Sequence, residues 1–248
     1  MKWKIISISS AVLFLALWIV LTLGGFVNKL YLPGPDQIFG VFMEDYSKLF
    51  RHLGFTLGRQ FAGFFLGSAL GILVGLLIAS NRYVQAFMDP IIEVLRPIPP
   101  LAIIPMLILW LGIGAFPQIL LVTFGCFVII VVNTVESVRN VPKIYINAAR
   151  TLGAKWSYIY HTVVLPAIVP SLVGSVRVCA AASFGLVVAA EFMGAQEGIG
   201  YYMIIAQRYL RTDMIFVSII IISALAWLTD QLIRKAEKRL TRWSERHS

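Results

Sequence analysis

The chain has 248 residues, of which 59% are hydrophobic and only 13% charged, and its mean hydropathy is +0.84. A soluble domain is about half apolar and about a quarter charged, so this composition excludes one and points to a single polytopic membrane domain over residues 1–248. The net charge of +9 lies mostly in short connections and the tail, which fits orientation in a membrane better than binding of nucleic acid.

Residues 5–27 form the first apolar run, about as long as a bilayer requires. Lys2 and Lys4 precede it and place the N-terminus inside. A basic start before an apolar run also fits a signal peptide, but no Ala-x-Ala-like site closes it, so a retained helix is the better reading. Residues 28–53 are mixed and placed outside. Pro33, Gly34 and Pro35 make a turn there, and Asp36 can cap the helix that begins after it. Ile38, Phe39, Phe42, Met43, Tyr46, Leu49 and Phe50 then recur at helical spacing, for a helix lying on the outer interface or packed on the bundle.

Residues 55–79 are the second span, with Gly63, Gly67, Gly71 and Gly75 in one stripe for close packing of another helix. Asn81-Arg82 forms a short inside turn. The third span, 84–112, is interrupted by Pro90, Pro97, Pro99, Pro100 and Pro105, which prevent a straight helix. Broken backbone at membrane depth requires protein or a watery cavity around it. Glu93 and Arg96 are spaced to pair on one helical face, as part of a gate or as the anchor of a kinked helix end. Gly112, Ile113 and Gly114 make the next outer turn. Residues 117–136 return inside, where Glu136, Arg139 and Lys143 mark the end of the span.

Residues 137–166 form a cytoplasmic loop whose stretch from Asn147 to Pro166 is a polar, basic island between apolar runs, and its Lys and Arg assign it to that side. Gly153 can divide its helix into two short ones, and Leu165-Pro166 closes it before the fifth span, 167–192. Arg177 falls roughly 15 Å into that span at about 1.5 Å per residue. A charge so placed faces the bundle interior or a cavity, where it attracts an anion or pairs with Glu136 or a backbone carbonyl. Glu191 differs from it by about 40° in azimuth and so shares its face, with Ser183 and Gly185 between them. In 193–213, Gly194, Gly198 and Gly200 interrupt structure, and Tyr201 to Leu210 suggest a short helix. Residues 214–233 are the sixth span, and Arg234, Lys235, Lys238, Arg239, Arg242 and Arg246 crowd the tail behind it. The basic residues assigned outside, Lys29, Lys48, Arg51, Arg59, Arg208 and Arg211, are outnumbered by those assigned inside, which puts both termini in the cytoplasm.

Within the island, Ala148-Ala149, Gly153, Val163 and Leu165-Pro166 stand in the spacing of Glu-Ala-Ala, three residues, Gly, nine residues, Ile, one residue, Leu-Pro. This resembles the coupling loop of permease subunits of bacterial ABC importers, with Asn147 in place of the family's glutamate. The stretch Glu93, Arg96, Pro97, Pro99, Pro100, Leu101, Ala102 resembles an element of the nitrate, sulfonate and taurine branch, and so does Gly198-Ile199-Gly200-Tyr201. The resemblance covers about residues 55–240. It implies an all-α protein of about six transmembrane helices, acting as a homodimer with two copies of a cytoplasmic ATPase and an external substrate-binding protein, in a bacterial inner membrane. ATP and magnesium would be held by the ATPase, and this chain would need no cofactor. The resemblance assigns Asn147, Ala148, Ala149, Gly153, Leu165 and Pro166 to coupling, with His161 as a contact. It also suggests a gate or path at Glu93, Arg96, Pro97, Pro99 and Pro100, to which the face of Arg177, Ser183 and Glu191 is added. Alternating access would carry a small nutrient, with alkyl sulfonates, taurine or nitrate ahead of neutral heterocyclic nutrients.

The chain contains no G-x-x-x-x-G-K-[ST] loop and no Ser-His-Asp or Cys-His arrangement. His52, His161 and His247 lack metal-ligand spacing. Cys126 and Cys179 fall in apolar runs and read as small core residues. An ion-coupled secondary transporter is the rival from another class, but it would carry an internal repeat and have no use for a coupling loop. A membrane-embedded enzyme lacks a catalytic cluster.

Overall fold

Long apolar runs in a membrane must satisfy their backbone internally, and here they do so as helices. The structure, a computed structural model, describes residues 2–241. The helices are α1 (Lys2–Leu23), α2 (Pro35–Ser80), α3 (Arg82–Leu95), α4 (Ile104–Leu111), α5 (Ala115–Arg139), α6 (Lys143–Thr151), α7 (Trp156–Ile159), α8 (Leu165–Phe192), α9 (Ile199–Arg208) and α10 (Thr212–Leu240). A 3₁₀ turn (Pro100–Ile103) precedes α4 and a π turn (Tyr160–Val164) precedes α8; no strand occurs among the described residues. Four helical segments are long and apolar enough to cross a membrane, and the bent pair around Pro97 makes a fifth. The expected first span folds as α1, whose apolar part within the described side chains is the shorter Val12–Leu23. Arg242 and Arg246 of the expected tail lie outside the described residues.

The separate outer helix and second span expected from the sequence are one helix. α2 has 46 residues, roughly 69 Å at 1.5 Å per residue, or about twice the hydrocarbon thickness. No proline interrupts it after Pro35, and Gly54 and Gly58 do not break a helix that is held along its length. Its first half buries Val41 and Leu49 against Ile199, Tyr202 and Val217, so it packs on α9 and α10. Its start is closed by Gln37, whose Oε1 accepts from the Gly34 N–H at 3.2 Å, rather than by Asp36.

The glycine stripe meets α5. A Cβ on Gly63, Gly67, Gly71 or Gly75 would fall 2.4–2.8 Å from atoms of Val122, Thr123, Ile130 or Thr134. The two backbones therefore approach as closely as small-residue interfaces allow. α8 completes the centre, where Phe64, Val122, Cys126, Ile130, Cys179, Ala180 and Val187 form one core. Both cysteines are free and buried there.

The proline-rich segment breaks as its sequence requires. α3 ends at Leu95, and the helix resumes at Pro100 after a bend of 82°. Pro100 itself packs near Gly125 of α5. Leu165-Pro166, by contrast, does not stop the loop: helix runs from Trp156 to Phe192. A proline in a helix clashes with the carbonyl four residues earlier. The π turn relieves that clash just before Pro166, and the Leu165 N–H reaches back five residues to the Tyr160 carbonyl.

Candidate functional site

The connection between α5 and α8 projects as a knob from one end of the bundle. α6 terminates in a Schellman arrangement. The Ala154 N–H donates to the Ala149 carbonyl at 3.1 Å and the Gly153 N–H donates to the Arg150 carbonyl at 2.9 Å. That motif needs a left-handed residue after the cap, and Gly153 supplies it at φ +78°. Ala149 and Ala154, the pair such a motif brings together, pack on the cluster of Val141, Ile159, Val164 and Ile168. The small residues of the island are thus explained locally. Ala149 supports the turn, whereas Asn147 and Ala148 are exposed. The Tyr160 hydroxyl donates to the Leu76 carbonyl at 3.0 Å, which fastens the knob to the end of α2. His161 is exposed beside the Tyr160 ring. Ile144, Tyr145, Leu152, Trp156 and Tyr158 are all exposed on the knob, with Leu152 at 88%. Sequence reasoning did not single out this apolar surface, although its signal is plain: large apolar residues inside an otherwise polar island.

Near the same end, Asp89, Glu93, Arg96, Glu136 and Arg139 border a cavity of about 110 Å³. Glu93 and Arg96 do not pair with each other. Arg96 reaches Glu136 at 3.6 Å, and Arg139 reaches Asp89 at 2.8 Å. Arg96 is the cap residue of α3, beyond the face carrying Glu93, so it turns across to α5. Pro97 and Pro99 lie exposed in the bend between α3 and the 3₁₀ turn.

Arg177, Ser183 and Glu191 share a helix but not an environment. Arg177 is half-buried and paired through Nε and Nη2 with both carboxylate oxygens of Asp230 on α10. Asp230 also lies 3.4 Å from Arg234. The expected pairing with Glu136 is not made. Ser183 is sealed, accepting from Gln60 Nε2 at 2.7 Å.

Glu191 is the hub of the opposite end. Its carboxylate accepts from Arg59 Nη1 at 2.7 Å, from the Thr56 hydroxyl at 3.0 Å and from the Gly200 N–H at 2.9 Å. Arg59, which the sequence count set outside, is therefore a buried residue of the bundle. A buried ion pair persists only when further hydrogen bonds support it, and the Thr56 and Gly200 donors do so for the carboxylate. The Gly-Ile-Gly element crosses directly over the carboxylate. A Cβ on Gly198 would lie 2.3 Å from Glu191 Cδ, and one on Gly200 would lie 2.7 Å from Glu191 Cβ. The Gly198 N–H donates to His52 Nδ1 and the Ile199 N–H to the Thr56 hydroxyl. The loop before α9 is thereby sewn onto α2. Arg59 and Thr56 could have been found by spacing, since Thr56, Arg59, Gln60 and Gly63 continue the glycine stripe on one helical face. Asp230 left no such signal. Beside the hub, the Tyr202 hydroxyl donates to Asp45 at 2.9 Å, and burial, reinforced by that hydrogen bond, pushes the phenol above its usual range.

The fold is that of a membrane transporter. It is similar to a transmembrane chain of the inward-facing MetNI methionine ABC transporter, with a TM-score of 0.65 and 25% identity over 81% of this chain and 98% of that one. An amino acid ABC transporter shares the fold at a TM-score of 0.61 and 20% identity, over 82% and 97% of the two chains. The sequence pattern of the binding-protein-dependent transport system inner membrane component family matches residues 67–242. The chain belongs to that family. It is accordingly the membrane permease of such a system, and the family component is not itself catalytic. Among relatives, it is 33% identical to a Bacillus subtilis (strain 168) protein named for aliphatic sulfonates transport, over 92% of this chain and 84% of that protein. It is 32% identical to the taurine transport system permease protein of Escherichia coli (strain K12), over 94% and 87%.

Proposed function

We propose that this permease imports a small sulfonate-bearing nutrient, an alkyl sulfonate or taurine. The observation that carries the reading is the match along more than nine-tenths of the chain to permeases named for those two substrates. A homodimer, with one ATPase docked on each knob and a binding protein at the α9 end, would provide alternating access. In this arrangement the knob faces the cytoplasm, and the ATPase holds ATP and magnesium. Closure of the ATPase pair pushes on α6 and α7. Tyr160 and the uninterrupted helix from Trp156 transmit the push to α2 and α8.

Support for docking comes from the exposed Ile144, Tyr145, Leu152, Trp156 and Tyr158, an apolar surface on a segment with no lipid-length run. The test is reconstitution of the permease with its ATPase and binding protein in vesicles. ATP-driven accumulation of labelled taurine or ethanesulfonate is expected. Uptake of these solutes without ATP, or accumulation of neither, would overturn the reading.

A further inference from the structure

A second polar site lies at the end of the bundle away from the knob. The turn at Ile113 and Gly114, the loop at 194–197 and helices α2 and α5 enclose a cavity of about 360 Å³. Two of its lining side chains are polar and at least nine-tenths buried: Arg59 at 9% exposure and Gln118 at 5%. Arg59 spends only Nη1 on the protein, donating to Glu191 and to the Glu197 carbonyl. Its Nε and Nη2 have no acceptor among the described residues and are not sealed off. The Gln118 amide likewise makes no hydrogen bond among the described residues, and its Oε1 is buried without a partner. The buried end of the Gln118 amide is its acceptor oxygen, so the donors left open to a ligand here are Gln118 Nε2 and Arg59 Nε and Nη2.

We propose that this cavity is an oxyanion subsite for the sulfonate group of the transported solute, held by Arg59 Nε and Nη2 and by the Gln118 amide. The assignment rests on the sulfonate reading above and adds to it a place within the permease. The charge balance selects the ligand. Glu191 offsets Arg59, and Arg51 offsets Glu197 at 2.5 Å, so the cavity offers directed donors with little net positive charge. Such a site suits a monoanion whose charge is spread over three oxygens and whose hydration is easily lost. Either anion enters without a full counter-charge, and the cost of desolvating it is smaller for the sulfonate than for a phosphate dianion. Donors to a charged group are also the stronger hydrogen bonds.

Gln118 is the residue to test, because Arg59 also supports the fold through Glu191. In the full transporter in vesicles, Gln118→Leu is expected to lower kcat/KM for ethanesulfonate uptake roughly tenfold or more, the loss of one hydrogen bond to a charged group. Gln118→Glu, which sets a carboxylate against the sulfonate, is expected to lower it further. Gln118→Met covers the case in which leucine disturbs packing, and co-purification with the ATPase verifies assembly of each variant. Assembled variants with wild-type kcat/KM would overturn the subsite while leaving the sulfonate reading intact. A wild-type transporter that imports neither taurine nor ethanesulfonate would overturn both.

Discussion

Glu191 offers the sharpest test of how the α9 end is held. Its side chain is fully buried and that of its partner Arg59 is 10% exposed, so solvent screens their interaction little. Glu191→Ala removes the acceptor of the Arg59, Thr56 and Gly200 donors together and leaves a largely buried guanidinium without its counter-charge. Breaking one side of a buried pair costs about 3–5 kcal/mol. For a chain of this size, that corresponds to a fall in Tm of roughly 6–20 °C. Glu191→Gln keeps the shape and one acceptor and should fall less. The double variant Arg59→Met with Glu191→Leu removes both charges and should be more stable than Glu191→Ala, because no unpaired charge remains. The assay is thermal unfolding of the purified permease in detergent for all four proteins. A Tm for Glu191→Ala within about 2 °C of the wild type, or a double variant less stable than Glu191→Ala, would refute the argument.

Three further outcomes are expected. Gly67→Ala places a Cβ 2.4 Å from the Thr123 carbonyl and should destabilise by about 1–3 kcal/mol through overpacking; Gly58→Ala, with open space around it, should be neutral or slightly stabilising. Equal thermal shifts for the two would contradict the α2–α5 contact. Gly153→Val forces a β-branched residue into φ +78° with no steric clash nearby, a local strain on the order of 1–3 kcal/mol. The protein should still insert, but reconstituted vesicles should hydrolyse ATP without matching uptake, and normal coupling would count against the knob. Arg177→Asp and Asp230→Arg should each impair uptake, and the two together should restore it if the pair only ties α8 to α10. Failure of the double exchange would instead give Arg177 a role in the path.

What could be read without coordinates was local in origin. Apolar runs, the breaks at Pro97 and Pro99, and the turn at Gly153 arise from bonds between residues a few positions apart, so their sequence is sufficient. The Schellman turn is the clearest case, since Ala149, Gly153 and Ala154 carry its whole geometry. The partners of charged residues were decided elsewhere. Arg59 meets Glu191 across 132 positions and Arg177 meets Asp230 across 53. Such meetings depend on how far each helix is rotated and how deeply it is set. Helices that are apolar on most sides hold little record of either. The glycine stripe announced a close neighbour, but only the packed bundle identified it as α5. The continuity of α2 is likewise tertiary, because the polar stretch around Arg51 stays helical through its contacts with α9 and α10. The sequence thus determined which segments are apolar and where the proline-rich span and the Gly153 turn break; the continuity of α2 and of the helix through Pro166, with rotation, depth and partnership, was left to the fold.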